Sequence, residues 1–203
     1  MLRQIAGAWL LITLSLGVAA AQNAPQNNMA LRTMFIPTSV AVTFNAERAK
    51  TVSSGCNCFW IPGAGIDANW RIWNGVGIAA QVNGGHASNI APDVGIKKVN
   101  FLFGPRYTWQ PSRWKRRYQP SIFGEFLAGG VHAYGTVIPT STGTTSSATS
   151  FGFQTGGGAN LWLTRHFGLR VIELDYVYSE IPNAGDSTQN DFRIATGVVW
   201  RLP

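Results

Sequence analysis

The feature that most constrains the fold of this chain is a strict two-residue alternation of side-chain character. In the stretch VNFLFGPRYTW, residues 99–109, every odd-numbered residue is apolar or aromatic, whereas the even-numbered residues include Asn100, Gly104 and Arg106. Successive side chains of a β-strand point to opposite faces. The alternation therefore predicts an extended strand with one apolar face and one face of small, polar or charged groups.

The same alternation recurs along most of the chain, and no segment shows a sustained helical period. Eight segments carry it: residues 40–46, 60–73, 76–83, 98–109, 118–131, 150–164, 169–179 and 191–202. The fifth and sixth of these alternate least cleanly, so their register stays open. The gaps differ in length, from a tight Asn74-Gly75 turn to long gaps at 84–97 and 132–149. Short turns at one end and longer loops at the other are typical of bacterial outer-membrane barrels.

Composition indicates which face of these strands points outward. Charged residues make up 12% of the chain, against about 25% in ordinary soluble domains. All four lysines fall in predicted gaps or, for Lys98, at the first residue of a strand. The less apolar face consists mainly of Gly, Ala, Asn and Gln, which suit the narrow, filled interior of an eight-stranded barrel. Because lipid offers no partner to an unpaired backbone group, a closed sheet is required. The sequence predicts an all-β fold, an eight-stranded antiparallel up-and-down transmembrane β-barrel.

The predicted interior face carries charges of both signs in equal number. An unpaired charge in such an interior would cost several kcal/mol, so we expect these side chains to form ion pairs. The predicted lumen charge network consists of Asp67, Arg71, Arg106, Glu125, Glu173, Asp175, Arg193 and Arg201.

The first residues have the features of a cleavable signal peptide. Arg3 precedes an apolar run at 8–20, and Ala19-Ala20-Ala21 supplies a cleavage site. We therefore predict export from the cell. The predicted division of the chain is a signal peptide (1–21), an Asn/Gln/Pro-rich leader (22–37) and the barrel (38–203).

The formal net charge of +7 raises the question of a nucleic-acid partner. The dense basic cluster is confined to residues 113–117, and an exported chain leaves nucleic acid behind. We interpret this cluster as a solvated turn near a membrane surface and predict no nucleic-acid partner.

Three stretches resemble a known family. The resemblance is carried by GGGANLWLTRHFGLRVIELDYVYS (156–179), by TQNDFRIATGVVWRL (188–202) and by KVNFLFGPRYTW (98–109). It is to outer-membrane β-barrel proteins of the outer membrane protein A-like, porin-family type, and the last of the three stretches is similar to an inner strand of that family. The resemblance implies a bacterial outer-membrane location, with membrane lipids and lipopolysaccharide as surroundings. It also implies that the barrel-assembly machinery reads the closing strand through Gly197, Trp200 and Leu202.

Cys56 and Cys58 form a C-x-C pair in the first long gap. Export favours a disulfide, but a bridge between residues two apart is strained. A disulfide of Cys56 and Cys58 within the chain or between chains, free thiols and a metal site all stay open, the last being least favoured because no further ligands stand nearby.

We predict a structural or surface-interaction role, in membrane integrity or adhesion, with no catalytic residue, cofactor or metal ion. The loops could bind an external ligand. One alternative is a narrow porin-like pore or small-ligand carrier, although eight strands leave no continuous water channel. The other is a lipid A-modifying enzyme that would use His132, Glu125 and one of Ser141, Ser146 or Ser147.

Overall fold

The computed structural model describes residues 38–50, 58–91, 94–111, 118–140, 143–182 and 188–202. These residues form eight strands: β1 (Ser39–Lys50), β2 (Cys58–Trp73), β3 (Val76–Ala91), β4 (Val94–Trp109), β5 (Gln119–Thr140), β6 (Gly143–Trp162), β7 (Phe167–Ser179) and β8 (Gln189–Arg201). Each strand pairs antiparallel with the next, and β8 pairs with β1 to close the barrel. The predicted fold class is confirmed. The predicted signal peptide and leader lie outside the described residues. The described part of the chain contains no helix long and apolar enough to cross a membrane.

The apolar faces of the strands point away from the barrel axis. On β4, Phe101 and Phe103 are 56% and 67% exposed. Leu102, which lies between them, and Arg106, further along the strand, are each 3% exposed. Other large apolar side chains share this outward orientation: Phe44, Ile66, Ile78, Val82, Phe126, Ile172, Leu174 and Ile194. An apolar band of this size would be a liability in water and is the surface that a transmembrane barrel presents to lipid.

The two ends of the barrel are built differently. The end where β1 begins and β8 ends, here called the turn end, has connections at 74–75, 110–118 and 163–166. Asn74 and Gly75 have φ of 43° and 91°, the left-handed conformations that a tight primed hairpin turn requires. Exposed aromatic side chains surround this end: Trp73, Tyr107, Trp109, Tyr118 and Trp200. Such rings favour the interface between lipid and water.

At the opposite end, here called the hairpin end, the structure has longer strands where the sequence predicted long loops. Residues 84–97 and 132–149 are mostly strand, because β3, β4, β5 and β6 all run further than the alternation indicated. β4 pairs with β5 only as far as Ile96 and Gly135, but β5 and β6 remain paired to Thr140 and Gly143. The Ser/Thr-rich segment is therefore a two-stranded hairpin that extends past the closed barrel, since its backbone groups satisfy one another.

A β-bulge in β7 changes which residues face inward. The register shifts between Arg170 and Glu173 against β8. Val171 and Ile172 are consecutive, yet both are exposed, and Arg170 is buried. An unbroken alternation would turn Val171 inward, but one extra residue in the strand moves the residues before the bulge to the other face.

Candidate functional site

The described residues place ten charged side chains in the barrel interior, on the inner faces of six strands. They are Glu47, Asp67, Lys98, Arg106, Glu125, Arg170, Glu173, Asp175, Asp191 and Arg193. Six are acidic and four are basic, so the equal numbers predicted from the sequence do not hold. Since these side chains are buried, each must find its partners among its neighbours.

Arg106 holds two carboxylates at once. Its Nη1 donates to Asp67 Oδ1 at 2.8 Å and its Nη2 donates to Asp67 Oδ2, while its Nε donates to Glu125 Oε2 at 2.6 Å. Arg170 reaches the same Asp67 from another strand, with Nη1 donating to Oδ2 at 2.8 Å and to Glu173 Oε2 at 2.6 Å. The planar guanidinium fork suits this geometry, and Asp67 is held by two arginines.

Both guanidinium groups lie close to one phenyl ring. The Phe123 ring centroid lies 4.6 Å from Arg106 Cζ and 4.7 Å from Arg170 Cζ. A cation above an aromatic face is attracted to it, most strongly where water is excluded. Gly158 leaves room for the ring, since a Cβ there would lie 2.8 Å from Phe123 Cζ.

Arg193 anchors the next part of the interior and is fully buried. Its Nη2 donates to Asp175 Oδ2 at 2.9 Å, to Gln81 Oε1 at 2.9 Å and to Gln154 Oε1 at 2.6 Å. Gln154 Nε2 donates in turn to Glu125 Oε1 at 2.8 Å. The two glutamines therefore join Arg193 to the Arg106 cluster in one hydrogen-bonded network.

Three of these carboxylates, Glu125, Glu173 and Asp175, have oxygens within 4.8 Å of one another. Such a grouping needs positive charge nearby. Arginines supply it, because each of the three carboxylates accepts a hydrogen bond from Arg106, Arg170 or Arg193, respectively. We assign no metal ion to this cluster.

Lys98 forms a separate group nearer the hairpin end. Its Nζ donates to Glu47 Oε1 and to Asp191 Oδ2, the second at 2.9 Å. The prediction that Lys98 is the first residue of its strand is wrong, because β4 begins four residues earlier; Lys98 is buried. Two carboxylates share one ammonium here.

Arg71 and Arg201 do not belong to the lumen network, and their predicted membership is corrected. Both lie at strand ends at the turn end, where the inward direction opens toward solvent. Arg71 is exposed, and the Arg201 guanidinium lies 4.0 Å above the ring of Trp162. The ion pairs formed within the described residues include neither of them.

Four buried charges escaped the sequence analysis. Glu47 lies one residue beyond its predicted segment, and Lys98 and Asp191 are the first residues of theirs. All three have the inward parity of their strands, so following that parity to the strand ends would have found them. Arg170 gave no such signal, because the bulge reverses its parity.

The residues predicted to guide assembly lie at the seam between β8 and β1. A Cβ at Gly197 would lie 2.1 Å from the backbone oxygen of Val42, so glycine permits close pairing there. Trp200 is partly exposed, and Leu202 N donates to Thr38 O at 3.1 Å. Recognition of these residues by the assembly machinery stays a prediction.

Cys58 is the first residue of β2 and is disulfide-bonded, whereas Cys56 lies outside the described residues.

The side chains suggested for a hydrolytic triad are not brought together. His132 Nδ1 lies 2.7 Å from Thr149 Oγ1. Glu125 lies seven residues earlier on β5, on the interior face, where it accepts a hydrogen bond from Arg106. Ser141 lies outside the described residues.

No family model matches the chain, and no curated protein matches it in sequence. Among solved structures, Neisserial surface protein A is 17% identical, with a TM-score of 0.58 over 81% of this chain and 96% of that one. Ail of Yersinia pestis, solved with the heparin analogue sucrose octasulfate, is 15% identical, with a TM-score of 0.46 over 81% and 99%. The N-terminal β-barrel domain of Pseudomonas aeruginosa OprF is 13% identical, with a TM-score of 0.42 over 82% and 98%. The likeness to Neisserial surface protein A shows a shared fold.

Proposed function

We propose that this protein is an integral barrel of the bacterial outer membrane with a structural or surface-interaction role, in membrane integrity or adhesion. The observation that carries the proposal is the inversion of the barrel's polarity. Phe44 is 71% exposed and Phe103 is 67% exposed on the outer face, while Arg193 is fully buried on the inner face. A lipid surrounding satisfies both faces, because it covers the apolar band and leaves the charges to pair inside.

The interior supports a structural role over a pore. Arg106 and Arg170, on β4 and β7, both bond Asp67 on β2, and Arg193 on β8 bonds Gln81 on β3. These bridges link strands that are not neighbours in the sheet, so they cross the interior. An eight-stranded barrel filled in this way leaves no continuous path for water.

The unequal ends support an orientation. Outer-membrane barrels keep short turns in the periplasm and longer segments outside. The β5–β6 hairpin would then extend beyond the outer surface, among lipopolysaccharide. Its residues 143–150 have no charged side chain and include six hydroxyl groups, so it is the candidate region for an external ligand.

Gel mobility of the refolded chain tests membrane insertion. Residues 22–203, refolded with detergent, should run as a compact species that shifts on boiling. Phe103→Lys places a charge in the apolar band and should reduce the folded fraction, whereas Thr144→Lys, in the extended hairpin, should not. A chain that stays monodisperse in buffer without any amphiphile would refute the proposal.

Conductance in a planar bilayer separates the structural role from a pore. The folded protein should give no steady channel current, because its interior is filled. Regular, reproducible conductance steps from protein that runs as the compact species would favour the pore instead.

A further inference from the structure

The positive charge of the barrel is concentrated at the turn end. None of the nine acidic residues of the chain lies within five residues of a connection there or of the barrel's two terminal strand ends at that end. The described cations at this end are Arg71 at the end of β2, Arg165 in the turn before β7 and Arg201 at the end of β8; together they are called the basic rim. At the hairpin end, the exposed charges of the described residues have both signs: Arg48 and Lys97 are basic and Glu180 is acidic.

Backbone hydrogen bonds hold the basic rim together. The sheet order places the turn before β7, the end of β8, the start of β1 and the end of β2 side by side. Arg201 N donates to His166 O at 2.7 Å, and Leu202 N donates to Thr38 O at 3.1 Å. Arg71 N donates to Thr38 Oγ1 at 2.9 Å. The three arginines therefore belong to one connected stretch of the barrel's edge.

The guanidinium groups of the rim have no carboxylate partner among the described residues. Arg71 and Arg165 are exposed, and Arg201 is half-buried. Trp73, at 75% exposed, and Trp200 lie at the same end. Because tryptophan rings settle at the level of lipid headgroups, they place the arginines at the depth where phosphate groups lie. Arginine binds phosphate through two parallel N–H donors.

We infer that the basic rim binds the phosphate groups of anionic phospholipids in the leaflet at the turn end. The inference rests on the proposed membrane insertion. A surface without carboxylates attracts an anionic membrane, and each added cation strengthens that attraction. The tryptophans beside the rim favour a lipid over a free anion, since only a lipid brings its phosphate to the membrane interface.

Lipid competition on the folded protein tests the inference. Protein refolded in detergent is offered equal amounts of phosphatidylglycerol and phosphatidylcholine, and the lipids retained are counted by native mass spectrometry. Phosphatidylglycerol should be enriched by at least about fivefold. Arg71→Gln with Arg165→Gln should abolish most of this enrichment. Arg48→Gln with Lys97→Gln, which removes two exposed cations from the opposite end, should leave it unchanged.

Three outcomes would overturn the inference: equal retention of both lipids, equal effects of the two double variants, or displacement of phosphatidylglycerol by inorganic phosphate beyond that by chloride at matched ionic strength. The last outcome would indicate a site for free phosphate. Every variant is also run unboiled on a gel. Loss of the compact band would reflect failure of barrel formation, which is a separate result.

Discussion

Loss of the Arg106 side chain should be costly, because it holds both Asp67 and Glu125. Arg106→Leu would leave two buried carboxylates without this partner. Removing one member of a buried ion pair typically destabilises by about 3–5 kcal/mol. We expect a loss of that order in the free energy of unfolding, measured by urea titration in lipid vesicles.

Arg71→Leu is the matched control for that variant. Arg71 was predicted to lie in the same network, but it is exposed at a strand end. A change within about 0.5 kcal/mol is expected for such a surface site. Equal losses for the two variants would contradict the assignment of Arg106 to the network and of Arg71 to the rim.

Lys98 offers a test by rescue. Lys98→Met should destabilise the barrel strongly, because Glu47 and Asp191 then face each other without a cation. Adding Glu47→Gln and Asp191→Asn removes both stranded charges and should recover much of the stability, as neutral replacements of buried ion groups often do. The comparison is made by urea unfolding midpoints. A triple variant no more stable than Lys98→Met would show that the charge itself is not the cause.

The sequence predicted single residues well wherever strand parity was unbroken. Asp67, Arg106 and Arg193 lie inside because each stands an even number of residues from inward neighbours on a regular strand. Strand parity tells which face of the sheet a side chain points to, but not where along the barrel axis it lies. It therefore placed Arg71 and Arg201 inside, although both lie where the interior opens, and it says nothing of which cation meets which carboxylate.

At the scale of the elements, the bulge in β7 is where sequence reasoning failed. An unbroken alternation would turn Val171 inward and Ile172 outward, but both are exposed. Because of the extra residue, the Arg170 side chain points into the interior. There it forms ion pairs with Asp67 and Glu173, which stabilise the bulged strand. A local pattern cannot show this, because the partners stand on other strands and only the folded barrel brings them together.

Lysine substitutions distinguish the bulged strand from a regular one. Val171→Lys and Ile172→Lys should each destabilise the barrel in vesicles by about 1–3 kcal/mol, since both place an ammonium on the lipid face at intermediate depth. A regular strand predicts that only Ile172→Lys is costly, because position 171 would face the polar interior. Urea unfolding midpoints decide between the two, and an unchanged midpoint for Val171→Lys would contradict the bulge.

The ends of the strands could not be predicted from the alternation of apolar and polar residues either. The alternation ended at Val131 on the fifth segment, yet β5 continues to Thr140. The Ser/Thr-rich sequence beyond it reads as a loop by composition. It forms strand because β5 and β6 pair with each other across it, and the β-branched threonines favour an extended backbone.

For the part of the molecule that the structure describes, charge is arranged in three levels: a hairpin end with exposed charges of both signs, an ionic interior and a basic rim. Salt should affect these levels differently. The buried ion pairs are shielded from solvent ions, whereas the exposed rim interacts with anionic lipid through water and is screened within about 8–10 Å at physiological ionic strength. We therefore expect the unfolding free energy in zwitterionic vesicles to change by less than about 1 kcal/mol between 0.05 and 1 M NaCl. Over the same range, the preference of the folded protein for phosphatidylglycerol should fall steeply. If added salt lowered the unfolding free energy as steeply as the lipid preference, the interior charges would have to be open to solvent, and the description of the lumen as a sealed core would fail.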